Sequence, residues 1–283
     1  MASFTNFATL SYNGGTTNSN IVTGEILEAL TAVKTAVSAN YSAGDRITYA
    51  LSLVNTGTAA ITDYTVTDNL GGYTVGANTV YPLAYNAGTV RYYINGVLQT
   101  APTVTAGPPL TVTGLTVPAG GSAVLIYETT ATPVAPLATG SSITNTATIT
   151  GAGLTTPITA QATVETANSA DLTISKALSP TTVTENGRIT YTFVISNTGN
   201  TEATATGNVV VTDTFAPILR NIAVTYNGTA WTEGTNYTYN AATGVFTTLA
   251  GQITVPAASF TQNTDGTFTV TPGTATLVIA GTV

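Results

Sequence analysis

The chain has two lysines, and both fall at the same place in a repeated pattern. Lys34 lies 12 residues before an Arg-Ile-Thr-Tyr stretch that starts at Arg46, and Lys176 lies 12 before the same stretch at Arg188. Asp68 and Asp213 each close a Val-Thr-Asp motif. Asn6 and Asn145 occupy matching places in a third pair of segments. Phe4 to Leu10 reads Phe-Thr-Asn-Phe-Ala-Thr-Leu, and Ile143 to Ile149 reads Ile-Thr-Asn-Thr-Ala-Thr-Ile. An amine on a first strand, a carboxamide on a late strand and a nearby carboxyl group are the reactants of an isopeptide bond. Burial depresses a lysine pKa, so that the neutral amine can attack the amide carbon. A protonated carboxyl polarises the amide and shuttles protons, and ammonia leaves. Asp68 and Asp213 are the candidate catalytic carboxyls. Lys34 with Asn145 and Lys176 with Asn6 are the candidate bonded pairs.

The same residues also fit plainer roles. Lys34 and Lys176 read equally as solvated strand ends, and Asn6 and Asn145 as hydrogen-bonding strand residues. Asp68 and Asp213 stand in Thr-Asp-Asn and Thr-Asp-Thr, which favour turns. Asn55-Thr56-Gly57 and Asn197-Thr198-Gly199 are turns rather than sites.

Strands must position these groups. Ile47, Tyr49, Leu51 and Leu53 alternate with smaller or polar residues, and Ile189, Tyr191, Phe193 and Ile195 repeat the pattern. Period two is the mark of a half-buried strand, and Thr, Val, Ile and Tyr suit a pleated surface. Turn signals follow at short intervals, among them Asn13-Gly14, Gly120-Gly121, Asn227-Gly228 and Asp265-Gly266. This spacing predicts an all-β chain of two tandem immunoglobulin-like Greek-key sandwiches. Glu25 to Ala36 also suits a short helix, but its counterpart before Lys176 alternates like a strand, which favours two strands and a crossover.

The repeats divide the chain unevenly. Residues 1–28 resemble a domain end, residues 29–167 a whole domain, and residues 168–283 a domain lacking its last strands. Pro118 to Ile126 matches Pro272 to Ile279; the first copy then continues through Ile149 and Val164, whereas the second has no such continuation. An open groove and unpaired edges are expected in the second domain. Residues 1–28 carry the two strand patterns that would fill it, with Phe4, Asn6, Ala8 and Leu10 on the inward face. The expected partners are therefore other copies of the chain, joined head to tail by donor-strand complementation into an open homopolymer. The Lys176–Asn6 bond would then cross between subunits. A different reading is a stalk or ligand-binding module of a surface adhesin, displaying a site on the loops of residues 70–118 or 220–270.

The segments Lys176 to Pro180, Arg188 to Gly199 and Val209 to Phe215 resemble the bacterial repeat family called domain of unknown function 11. The first copy matches it through Lys34, Tyr49, Asn55-Thr56-Gly57 and Val66-Thr67-Asp68. The resemblance implies immunoglobulin-like sandwiches of bacterial surface proteins, in which isopeptide ties occur. The chain departs from that pattern by beginning inside a repeat.

Composition narrows the remaining classes. Hydrophobic residues make up 43%, enough for packed cores, while charged residues are only 7%, so Thr, Ser and Asn must cover the surface. A net charge of −7 supplies no basic stripe for nucleic acid. With no His and no Cys, a metal site, a thiolate nucleophile and the usual general base are not expected, nor is a cofactor or a turnover enzyme. No apolar run is long enough to insert in a membrane. Residues 1–20 lack the pattern of a secretory signal. An extracellular place, on a bacterial cell or spore surface, is then reached as a processed form or by another route, such as spore release.

Overall fold

A computed structural model describes residues 2–26, 28–151 and 154–283. Met1 and Leu27 of the expected arm, and Ala152 and Gly153 of the first domain, lie outside the described residues. Those described form strands and turns, with one 3-10 turn at Ala205–Gly207. Contacts divide the chain into unit 1, Met1–Ala135 with Ser142–Glu165, and unit 2, Pro136–Ser141 with Thr166–Val283. The short piece 136–141 is held to unit 2 by Asn200 and by Thr166, whose hydroxyl donates to the carbonyls of Ala138 and Ser141. The Asn200 amide donates to the carbonyls of Leu137 and Ala167, and Thr139 donates to the Asn200 carbonyl.

Unit 1 is a sandwich of two antiparallel sheets. In one, Arg46–Asn55 lies between Leu30–Ala36 and Ser122–Ala131, and Arg91–Ile94 continues the sheet. In the other, Ile61–Asp68 lies between Leu110–Val117 and Ser142–Thr150, followed by Ile158–Thr166 and the short strand Asn40–Tyr41. Alternation decides which side chains enter the core. Ile47, Tyr49, Leu51 and Leu53 are buried, as are Ile143, Asn145, Ala147 and Ile149 on the strand that closes the facing sheet. Glu25 to Ala36 is strand at both ends, Val22–Ile26 and Leu30–Ala36, as the repeat requires.

Residues 2–26 form a long hairpin. Ala2–Asn6 pairs with Val22–Ile26, and Thr9–Tyr12 with Gly15–Asn18. Asn13 and Gly14 both take positive φ, the backbone of a tight hairpin turn whose twist matches the strands. Between the two ladders, Phe7 and Ala8 face three residues, 19–21, which makes a bulge. All ladder partners of the arm lie within the arm. Phe4, Phe7, Leu10, Tyr12, Ile21 and Val22 are each more than half exposed.

The arm copies the hairpin that closes unit 1. Phe4 opposite Gly24 and Asn6 opposite Val22 stand where Ile143 faces Val164 and Asn145 faces Ala162. The difference is burial: Ile143 and Asn145 are inside a sandwich, whereas Phe4 and Asn6 are in the open.

Unit 2 repeats the first sheet, with Leu172–Ser179, Arg188–Asn197, Gly273–Thr282, Arg220–Tyr226 and Thr229–Trp231 in order. Ile189, Tyr191, Phe193 and Ile195 pack with Phe215, Leu219, Phe246, Leu277 and Ile279. Its second sheet has only Thr212–Thr214, Val245–Thr248 and Tyr237–Asn240. Thr212–Thr214, the counterpart of Ile61–Asp68, has one ladder neighbour instead of two. The described residues of unit 2 contain no closing hairpin, and the strand bearing Lys176 is exposed along nearly its whole length.

The two Asn-Thr-Gly segments are turns tied to the far end of each sandwich. The buried Asn55 amide donates to the carbonyls of Ala59 and Pro118, at 2.8 and 3.0 Å, while its oxygen accepts from Gly57 N–H. Asn197 repeats the set with Thr201, Pro256 and Gly199. Glycine is needed at the third place because a Cβ on Gly199 would sit 2.2 Å from the Ser169 carbonyl oxygen. Replacing Asn55 by Ala orphans partly buried carbonyls and a backbone N–H. Asn55→Ala should therefore lower unit 1 stability by about 2–3 kcal/mol, read as a lower urea midpoint at unchanged m-value.

Candidate functional site

The interior of unit 1 holds three polar side chains of the expected set. Lys34 projects from one sheet, and Asp68 and Asn145 from the other. Lys34 occupies an inward place because Leu30–Ala36 alternates, with Leu30 buried on the same face. Asp68 ends its strand opposite Ala147, and Asn145 follows two residues along the same buried face. Residues on such a diagonal are neighbours.

The Lys34 amine lies 2.5 Å from Asp68 Oδ2, with both side chains sealed from solvent. The Tyr127 hydroxyl also donates to Oδ2, and Leu70 N–H donates to Oδ1 at 2.9 Å. Lys34 Nζ stands 4.8 Å from the centroid of the Tyr49 ring and 5.9 Å from that of Tyr127. These rings stack on each other at 5.8 Å. An ammonium over ring faces gains some electrostatic stabilisation, yet desolvation outweighs it. Burial pulls the Lys34 amine down to about 8 from its ordinary 10.5, although Asp68 pulls it back up. An amine at about 8 is neutral in roughly a tenth of molecules at pH 7.

Asn145 is fully buried, and its amide faces the Tyr49 and Tyr127 hydroxyls. Neither its nitrogen nor its oxygen completes a hydrogen bond of normal geometry. A buried amide with both atoms unsatisfied costs several kcal/mol, of order 1–3 per group, and calls for an explanation. A solvated strand end is excluded for Lys34 by its burial. Turn capping is part of Asp68's role, through Leu70 N–H, but only its Oδ1 is used that way.

Unit 2 carries the same pair in a different setting. Lys176 lies 2.5 Å from Asp213 Oδ2, but the two side chains are 40% and 17% exposed. Lys176 Nζ sits 4.5 Å from the Tyr191 centroid and 5.4 Å from that of Phe193. Position 279, counterpart of Tyr127, is an isoleucine, so no tyrosine at that position reaches Asp213. Among the described residues of unit 2, no asparagine joins the pair in the manner of Asn145. The remaining member of the expected set, Asn6, sits on the exposed arm opposite Val22. Phe4, Ala8 and Leu10 lie on the arm with it.

Sequence reasoning gives no site role to two residues of this site. Tyr127 is replaced by Ile279 in the second copy, so comparing copies hides it. Tyr49 is repeated as Tyr191, but reads as an ordinary core residue. Its position directly opposite Tyr127 in the ladder is visible only once the strands are paired.

No protein-family model and no curated protein sequence matches the chain. Among solved structures, the major pilin subunit BcpA of Bacillus cereus is similar over 96% of this chain and 73% of its own, at 15% identity and a TM-score of 0.36. The 35 kDa C-terminal fragment of the major pilin GBS80 of Streptococcus agalactiae is similar over 87% of each chain, at 14% identity and 0.37. The pilus backbone RrgB of Streptococcus pneumoniae is similar over 86% of this chain and 55% of its own, at 13% identity and 0.36. Likenesses this distant do not carry chemistry or partners from those proteins to this one.

The low Lys34 value has a consequence for stability in a chain where Asn145→Ala removes the amide. The unfolded chain protonates Lys34 up to about pH 10.5 and the folded one only to about 8, so the folded state is penalised at neutral pH. That penalty fades as pH rises from 8 toward 10.5. Burial also holds the Tyr49, Tyr64 and Tyr127 hydroxyls above the ordinary phenol range, so their contribution is lost as the unfolded chain ionises above pH 10. The urea midpoint of Asn145→Ala should climb from pH 8, by at most about 1.4 kcal/mol per pH unit in stability, and turn over near pH 10. Adding Lys34→Met should flatten the climb and keep the fall.

Proposed function

We propose that the protein is the self-assembling subunit of a bacterial surface fibre. In this reading the hairpin of residues 2–26 completes unit 2 of the next copy. The observation that carries it is the duplication of the closing hairpin. One copy is buried in unit 1 and the other is exposed on the arm, while the described residues of unit 2 hold the acceptor strands and no hairpin paired to Thr212–Thr214 in the place of the closing one; its hairpin of Ser259–Gln262 and Phe268–Thr271 pairs only with itself. A hairpin that adds to a sheet edge satisfies main-chain groups while its alternate side chains enter the core. Because donor and acceptor are different surfaces, such contacts repeat without closing and give a filament. The repeat pattern of lysine strand, Tyr strand ending in Asn-Thr-Gly, and Val-Thr-Asp keeps the domain of unknown function 11 as the proposed family.

The buried set supports a covalent tie as well. Lys34 passes a proton to Asp68, and the neutral amine attacks the amide carbon of Asn145. The new bond joins Lys34 Nζ to that carbon, the bond from the carbon to the amide nitrogen breaks, and one ammonia leaves. Asp68 supplies the proton that the departing nitrogen needs and recovers one from the former amine. Tyr127 keeps Oδ2 oriented through its hydrogen bond. The unsatisfied Asn145 amide is accounted for as a reactant rather than a structural polar group. In unit 2, docking of the arm would bring Asn6 to Lys176 and Asp213 and exclude water from all three. The second bond would then run between subunits.

Filaments of the full chain should be visible by negative-stain microscopy and absent after deletion of residues 2–26. Identical filaments without the arm would remove it as the donor. Each bond formed should reduce the intact mass by about 17 Da, the ammonia lost in amide exchange. Wild-type filaments should run as a ladder after boiling in detergent. Lys176→Ala should form filaments that boil to single chains, whereas Lys34→Ala should keep the ladder and lose stability in unit 1. Wild-type filaments that boil to 28.6 kDa chains with no mass deficit would rule out both bonds and leave the donor hairpin standing.

A further inference from the structure

The two closing sites differ in where they keep their large side chain. In unit 1, Tyr41, Ile143 and Val164 stand on neighbouring strands at one end of the second sheet, and all are buried. Ile143 is pressed so close to Gly71 that a Cβ there would meet its Cγ2 at 2.6 Å. The Tyr41 hydroxyl is close enough to Tyr49 to contribute, behind burial, to raising the Tyr49 pKa. Matching the repeats at Arg46 and Arg188 puts Val183 in the place of Tyr41 and Tyr191 in that of Tyr49. Val183 and Tyr191 line a groove of about 620 Å³ in unit 2, with Leu178, Ile189, Ala216 and Pro217 around them. The groove therefore lies where unit 1 holds its tyrosine and its closing hairpin.

The arm is altered in the opposite sense. Phe4 stands for Ile143 and Gly24 for Val164. The Phe4 ring lies across Gly24, where an added Cβ would meet its Cζ at 2.4 Å. One large ring is thus lost from the acceptor, at Val183, and one appears on the arm, at Phe4.

We infer that Phe4 is the anchor that fills the Val183 groove of a second copy, and that this exchange of large and small residues makes the arm specific for unit 2. The inference rests on the donor reading above. It gives the exchange a purpose: Tyr41 leaves no space for Phe4, so the arm is excluded from unit 1. The hairpin of unit 1, with Ile143 and Val164, underfills the groove of unit 2. Assembly then selects the open site without an external guide.

The test uses full-length chains and follows filament growth by light scattering, with the arm deletion in parallel. Val183→Tyr fills the groove and should slow assembly about tenfold or more, as overpacking by a ring does. Phe4→Ile with Gly24→Val should also assemble poorly on wild-type acceptors. The triple variant Val183→Tyr, Phe4→Ile, Gly24→Val rebuilds the unit 1 set and should recover most of the wild-type rate. Unfolding of the arm-deleted Val183→Tyr chain should match that of the arm-deleted parent, which separates a blocked groove from a misfolded unit. If growth depends on the arm yet Val183→Tyr assembles at the wild-type rate, or the triple variant is no better than Val183→Tyr, the anchor is wrong and the donor reading stands. If growth does not depend on the arm at all, the donor reading and the anchor fail together.

Discussion

A lysine between two sheets needs its charge compensated, and unit 1 is arranged around that requirement. Lys34 has Asp68 at 2.5 Å and two tyrosine rings beside it. Removing two charges from water commonly costs more than their attraction returns. A pair of apolar residues at 34 and 68 would make a more stable core by that criterion alone. Keeping the pair is reasonable when it has chemistry to perform, and the unsatisfied amide of Asn145 is the reactant such chemistry needs. On this reading the energetic cost is temporary. Bond formation would replace an ammonium, a carboxylate and an unsatisfied amide by a neutral secondary amide beside a protonated Asp68, with one ammonia released, and would link the sheets through Leu30–Ala36 and Ser142–Thr150.

The same pair shows what the closing hairpin contributes. Lys34 is sealed and Lys176 is 40% exposed, although both lie at 2.5 Å from their carboxylates and over aromatic rings. The hairpin of residues 142–166 is the principal element present in one unit and lacking in the other. Lys176 is open to water where Lys34 is not, so on this reading chemistry there waits for whatever covers it. Coupling reactivity to coverage in this way would restrict cross-linking to docked subunits, and so prevent a free chain from reacting with a stray amide.

Much of this was legible in the residues because a duplicated pattern marks the positions that matter. The period of two gives Ile143, Asn145, Ala147 and Ile149 one inward face, whereas Lys34 and Asp68 read from the sequence equally as a solvated strand end and a turn residue, and only the paired strands show both inside. The recurrence of Phe4 to Leu10 at Ile143 to Ile149 identified the arm as a copy of a buried strand. What escaped was whatever the copies do not share. Tyr127 is hidden by Ile279, and the Val183 groove is defined by a side chain that is smaller than its counterpart. The arm's bulge depends on how residues 19–21 pass Phe7 and Ala8, which alternation along one strand does not report. The assignment of residues 136–141 to unit 2 depends on Asn200 and Thr166, residues outside every repeated motif.

An isolated two-stranded hairpin is only marginally stable in water, because it has no third strand or facing layer to cover its apolar side. In the proposed assembly the arm would therefore gain more from docking than its area alone suggests. Burying Phe4, Leu10 and Val22 contributes roughly 1.5–3 kcal/mol for each side chain. Against this stands the ordering of a segment that is partly ordered already by its tight Asn13-Gly14 turn, so the entropy to be lost is smaller than for an unfolded peptide. A pre-formed hairpin also brings Asn6 into place in step with Phe4, since both lie on one face of one strand. Anchor and reactive amide are then a single rigid element: a register slip that misplaced Phe4 would carry Asn6 away from Lys176 as well. On the proposed reading, correct seating of the ring and formation of the bond would become one event, and errors in docking would stay reversible because they would never be sealed.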